Sequence, residues 1–354
     1  MKKNVKVFSL ILAALFTVAM TGCSKKISGW TNDYEAAKKY AAKEGKNIFL
    51  FFSGDDWDEQ GATFKTNVAN TDEFISTIGK DYVLVNLDFS QDEYSAADVD
   101  QDKATKDEKK KAEAVTKKYD KLERIATLYN VQSYPSIYLT TPEGYVIANI
   151  PFDSTITTTA DYALKVTEKS EDVEKFTALA RAVTSAKKLD RVKAIDELYE
   201  ATDQNYSGLM SDLMREVPAL DKDNETGLVG KYEMQVAYLD AIEKAKNGDS
   251  DAASQIFVDA CEKGHFDNET KQEAYYTAAY VLAASGNMNY EKMLDLLQKA
   301  YDADPQSDHA EEITRTTEAV KSMQAQEEAQ KATEGPAAEQ DSTADSATTD
   351  QTTK

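Results

Sequence analysis

Cysteine is nearly absent from this chain: 354 residues hold two, Cys23 and Cys261. Two cysteines permit one internal disulfide at most and exclude a disulfide-built scaffold. Histidine is as scarce, with His265 and His309 alone, and no cysteine–histidine grouping has the spacing of a zinc site. Neither a metal nor a cofactor is expected. Basic residues are outnumbered, 41 Lys and Arg against 63 Asp and Glu, for a net charge of −22. That sign is wrong for nucleic acid or an anionic membrane surface, where basic patches drive binding. A membrane-spanning run is missing as well. The N-terminal apolar stretch Val7 to Met20 falls short of the about 20 residues a spanning helix needs.

What is present begins with that stretch. Lys2, Lys3 and Lys6 precede it and Met20-Thr21-Gly22-Cys23 ends it, the layout of a secretory signal. The ending resembles a bacterial lipobox, with Met20 where leucine is more usual. The resemblance implies a signal peptide over residues 1–22, acylation of Cys23 with palmitate-type chains, and a polar tether over 23–29. It places the mature protein in the bacterial cell envelope, lipid-anchored to a membrane, on the periplasmic side or exposed at the surface. Loss of the three signal lysines takes the formal charge to −25. With Cys23 acylated, Cys261 has no cysteine to pair with.

From Trp30 to Lys46 the apolar spacing of Tyr34, Ala37, Tyr40 and Ala41 predicts a helix stopped by Glu44-Gly45-Lys46. Asn47 to Phe52 is an unbroken apolar run, as in a strand covered on both faces. Helical spacing resumes over Asp58 to Ala69 and briefly over Asp72 to Ile78, and Tyr82 to Phe89 is the next strand. An acidic loop and a long helix with a solvated, lysine-rich start occupy Gln91 to Tyr129. Ser136 to Thr140 and Tyr145 to Ile150 form a hairpin about Thr141-Pro-Glu-Gly144, and Ala160 to Lys169 is helical.

This order of elements resembles the thioredoxin-like family over about Trp30 to Thr167. The residues that carry the resemblance are Trp30, Gly45-Lys46, Gly54 and Trp57 at the strand–helix turn, Val85 to Asp88, and Tyr129-x-Val131-x-x-Tyr134-Pro135. In the family's redox members a tryptophan is followed by Cys-x-x-Cys. Here Trp57 is followed by Asp58, Glu59, Gln60 and Gly61. Asp58 and Gly61 stand where the attacking and resolving thiols would be, and thiol exchange needs both. Phe52 stands where such members tend to keep a buried acid. The resemblance thus implies the fold without its redox chemistry, no catalytic residue, and a cis peptide bond at Tyr134–Pro135 whose loop either binds an extended peptide or serves only to shape the turn. The carboxylates Asp55, Asp56, Asp58 and Glu59 read as helix-start residues, or alternatively as a divalent-cation patch.

Strand signals cease near Glu171. Apolar residues then recur at helical spacing in three segments, the third stopped by Pro218, and after the linker Asp221 to Gly227 in two helix pairs, Tyr232–Lys246 with Asp251–Lys263 and Glu273–Ala284 with Tyr290–Ala303. Ile256-Phe257-x-x-Ala260-Cys261 matches Leu296-Leu297-x-x-Ala300-Tyr301 forty residues on, a period that resembles degenerate tetratricopeptide repeats. A last helix runs from about His309 to Met323, and the polar, alanine-rich remainder lacks the apolar surface to offset the entropy of ordering.

The expected architecture is an α/β thioredoxin-like domain (30–169), an all-α helix-hairpin, tetratricopeptide-like domain (170–323) and a disordered acidic tail (324–354). The expected function is a lipid-anchored, non-enzymatic module that binds envelope proteins or peptides as an adaptor, chaperone-like factor or scaffold. The alternative is a thiol-disulfide oxidoreductase of atypical mechanism, working through Cys261 or a partner's cysteines.

Overall fold

The computed structural model describes residues 27–100 and 102–333. Residues 1–22, expected as a signal peptide, Cys23, and residues 334–354 of the expected tail lie outside them. The chain divides into two compact units between Ala180 and Arg181.

The first unit opens with a short strand, β1 (Trp30–Thr31), where the periodicity predicted helix. Helix α1 (Tyr34–Glu44) starts only after Asp33, whose side chain accepts the Ala36 N–H, and ends at Gly45 in the left-handed conformation. Trp30 is held out of the helix by long-range contacts. Its indole N–H donates to the Ala69 carbonyl at 2.8 Å, and its ring stacks on Phe74. Strand β2 (Asn47–Ser53) follows, then α2 (Glu59–Phe64), which passes into a π-helical turn at Lys65–Ala69. Next come α3 (Asp72–Thr77), β3 (Tyr82–Asp88), α4 (Gln91–Ser95) and the long α5 (Lys106–Leu128). The unit is completed by β4 (Ser136–Thr140), β5 (Val146–Ile150), α6 (Thr159–Thr167) and most of α7 (Ser170–Ser185).

The five strands form one sheet in the order β1-β3-β2-β4-β5, with β3 parallel to β1 and β2, and β4 antiparallel to β2 and β5. Central β2 is buried on both faces, hence its continuous apolar sequence. Phe49 and Phe51 face Trp30, Phe64, Phe74 and Tyr162, whereas Phe52 faces Tyr129 and Tyr138. Much of the core is therefore aromatic, with rings meeting edge to face as their quadrupoles favour. The domain boundary expected at residue 169 falls later. Phe176 of α7 is buried and Thr177 bonds Asn47 of β2 at 3.0 Å, so α7 begins as part of the sheet unit.

The second unit is helical: α8 (Lys188–Ala201), a 3₁₀ segment (Gln204–Met210), α9 (Ser211–Leu220), α10 (Val229–Lys246), α11 (Ser250–Glu262), α12 (Asn268–Ala284), α13 (Tyr290–Ala303) and α14 (Ala310–Thr333). Pro218 does not stop its helix. It lies inside α9, which closes three residues later as the Asp221 N–H donates to the Val217 carbonyl. The hairpins α10–α11 and α12–α13 bury alanine-rich faces with Phe257, Leu282, Leu296 and Leu297. Helix α14 outlasts its expected end at Met323 by ten residues. Good helix formers and pairs one turn apart, Gln324–Glu328 and Lys331–Glu327, carry it into the segment expected to be disordered.

Candidate functional site at the strand–helix turn

β2 delivers the chain to a tight turn at Gly54. The amides of Trp57 and Asp58 both donate to the Gly54 carbonyl, and a Cβ on Gly54 would stand 2.2 Å from the Trp57 ring. Only glycine fits there. Trp57 is carried to the surface, 47% exposed, its indole N–H donating to the Phe89 carbonyl at 2.7 Å. Its ring meets Tyr134 edge-on at 5.2 Å, and Tyr134 packs in turn on Phe89. Burial, with help from the nearby Glu123 charge, pushes the Tyr134 hydroxyl up to about 12. The Tyr134–Pro135 bond is cis.

Asp58 is the N-cap of α2. One carboxylate oxygen accepts the Gly61 N–H at 3.1 Å, and the other is buried without a hydrogen-bond partner. A Cβ on Gly61 would lie 2.2 Å from that second oxygen and 3.4 Å from Pro135 Cβ. The turn is therefore closed by a carboxylate–amide bond between the two positions where the family resemblance implies thiols. Glu59 and Gln60 are exposed beside it.

The remaining acids of the turn point elsewhere. Asp55 pairs with Lys65 of the π-helical turn, while its N–H donates to Asp88. Asp56 accepts the N–H groups of Asp92 and Gln91 and the Ser90 hydroxyl, capping α4. Those bonds, that of Asp92 foremost, hold its carboxyl below the usual carboxylate range. The carboxylates do not converge, and among the described residues no group of three His, Cys, Asp or Glu is arranged to hold a metal ion. Phe52 is fully buried, so β2 supplies no acid beneath the turn. Asp88, at the end of β3, accepts from the Ser53 hydroxyl and the Asp55 N–H, and burial raises its carboxyl.

Two clefts flank the turn. One, of about 440 Å³, runs between Phe89, Glu123, Asn130 and Tyr134. The other, of about 330 Å³, lies between Glu59, Gln60, Phe152 and Ile156. Trp57, Asp58, Gly61, Tyr134 and Pro135 are thus brought together from two segments more than seventy residues apart. Phe89 and Lys65 were not singled out from the sequence, and Asp88 only as the end of the Val85–Asp88 stretch. Their part depends on β3 lying beside β2, which periodicity does not report.

Residues 29–136 match the family model described as thioredoxin-like. The N-terminal unit is a thioredoxin-like domain. Residues 228–327 match a model described as an uncharacterised protein C-terminal domain. An uncharacterized protein of Treponema pallidum (strain Nichols) is 20% identical over 309 residues, spanning 87% of this chain and 94% of that protein. Among solved structures, a DsbH oxidoreductase matches at 20% identity with a TM-score of 0.31, over 48% of this chain and 94% of its own.

Cys261 belongs to the helical unit. It is buried beside Phe257 and Ala260 as their spacing predicted, and burial above all pushes its thiol up to about 11. His265 bonds Glu233 at 3.0 Å. Asp221, in the linker before α10, turns its carboxylate inward onto the Glu225 and Thr226 amides and the Thr226 hydroxyl. No helix among the described residues is long and apolar enough to cross a membrane.

Proposed function

We propose that this is a lipid-anchored envelope protein whose thioredoxin-like domain binds an extended polypeptide without redox chemistry, as an adaptor or chaperone-like module. The observation that carries the reading is the pairing of Asp58 with the Gly61 amide beside cis Pro135. The strand, turn, helix start and proline loop of a thioredoxin-like site are all kept, and the sulfur positions hold a capping carboxylate and a glycine. Exposed Trp57 supplies an apolar anchor with a satisfied indole N–H. The two clefts beside it leave room for side chains of an extended chain running past Pro135. Acylation at Cys23 would hold the molecule at the membrane, since an acidic surface offers no attraction to anionic lipid.

A photo-crosslinking amino acid at exposed Gln60, activated in intact cells, tests this. The expected result is one or a few discrete adducts that a probe at exposed Lys110 on α5 does not form. Identical adducts from both positions would remove the assignment. The competing oxidoreductase reading works through Cys261 or a partner's cysteines; its Cys261 form requires turnover of a disulfide substrate that Cys261→Ser abolishes. A buried thiol held near 11 is a poor nucleophile at neutral pH, and no turnover is expected.

A further inference from the structure

In the C-terminal unit α10 and α12 open the two hairpins and α14 follows them, and these three helices carry one hydrogen-bond pattern twice. The Tyr238 hydroxyl of α10 donates to Glu273 of α12 at 2.8 Å and lies 3.3 Å from the Thr277 hydroxyl. The Tyr276 hydroxyl of α12 meets Glu312 of α14 at 3.3 Å and Thr316 at 3.4 Å. The repeat is thirty-eight or thirty-nine residues long and each Glu–Thr pair is one turn apart. One face of the three helices is therefore ruled by tyrosine–glutamate rungs.

That face is not closed over. One turn beyond the two tyrosines stand Ile242 and Tyr280, 51% and 65% exposed, and Met323 of α14 is 42% exposed. Between α12 and α14 a groove of about 440 Å³ is lined by Glu269, Glu273, Tyr276 and Glu312 over Ile313, with His309 at its rim and no lysine or arginine. Apolar side chains thus lie beside three carboxylates, which meet one basic group among the lining residues, His309, 4.0 Å from Glu312. The chain's own end does not suit this groove, because residues 334–354 hold five acids and one lysine. Nor does a second copy as a whole, at a net charge of −22. Charge complementarity selects a basic occupant.

We infer that the α10–α12–α14 face is a second binding surface, and that its ligand is a polypeptide segment in which lysine or arginine alternates with apolar residues. The cations meet Glu269, Glu273 and Glu312. The apolar side chains pack on Ile242, Tyr280 and the groove floor. The tyrosine hydroxyls hold Glu273 and Glu312 in place before the ligand arrives, which limits the ordering lost on binding.

The test is fluorescence anisotropy of the full chain with a labelled twelve-residue peptide of alternating lysine and leucine. Saturable binding is expected, weakening as salt is raised. Glu273→Gln with Glu312→Gln, and separately Tyr280→Ser, should each weaken it about tenfold, equivalent to about 1.4 kcal/mol. Glutamine still accepts from the tyrosines, and circular dichroism monitors folding. Glu262→Gln with Glu291→Gln removes the same charge from exposed positions on α11 and α13 and should leave affinity unchanged. Equal weakening by that control would mean attraction to net charge alone and overturn the site. Equal binding of the glutamate–leucine peptide, or no binding of the lysine–leucine peptide, would overturn it too.

Discussion

Asp55, Asp56, Asp58 and Glu59 are close in sequence but serve different helices and partners. Asp58 and Gly61 are coupled most tightly. Asp58→Ala loses an N-cap and should destabilise by about 1 kcal/mol. Gly61→Ala places a Cβ 2.2 Å from the Asp58 carboxylate, so the aspartate must leave its cap, at a cost of about 1–3 kcal/mol. The double variant should be far less unstable than the sum, with a coupling of about 0.5–3 kcal/mol in urea melts. Simple additivity would show that the two residues do not compete for the same space. Asp56 gives a pH signature. Its carboxyl is held below its ordinary range by the Asp92 amide, so its stabilising effect is present above the unfolded-state value and lost as pH falls through the folded-state value. Asp56→Ala should lower the unfolding midpoint at about pH 7, and the difference should fade towards about pH 3. A difference that persisted undiminished in acid would point to packing instead of charge.

Among the elements, β2 and α3 organise the sheet unit. Phe74 of α3 touches Trp30, Phe49, Phe64 and Tyr162 and is fully buried. Phe74→Ala should remove about 3–5 kcal/mol in chemical denaturation. Helix α5 behaves oppositely at its start. Thr105 and Glu108 form a reciprocal capping box, and Lys109 to Lys111 are exposed. Lys110→Ala should change stability by no more than about 0.5 kcal/mol. A large loss there would mean that the basic run packs against something, contrary to its solvated position.

At the scale of the molecule, a thioredoxin-like scaffold without thiols can be asked to take them back. Gly61 is blocked only by Asp58 and lies in ordinary contact with Pro135. Replacing Asp58→Cys and Gly61→Cys together removes the obstruction and sets a thiol at the start of α2, where a thiolate is favoured. The double variant should reduce insulin disulfides with dithiothreitol above the parent's background. If both cysteines form and the protein stays inert, the turn does not retain redox-competent geometry. Phe52 leaves no acid beneath it, so a modest gain is expected.

The sequence alone determined the two halves, most of the order of strands and helices, and the absence of cysteine at the turn. These follow from local periodicity, glycine and proline positions and a residue count, which need no knowledge of distant neighbours. Even Asp58 as a helix-start residue was legible, because N-cap preference is local. Tertiary structure decided the rest. Trp30 is a strand residue because Phe74, Phe49 and the Ala69 carbonyl claim it from across the fold. Asp56 caps α4 because β3 ends beside the turn. The tyrosine–glutamate rungs form only when hairpins stack and bring residues more than thirty positions apart within hydrogen-bond distance. The glutamates and tyrosines were written in the chain, but which of them share a face depended on the packing of α10, α12 and α14.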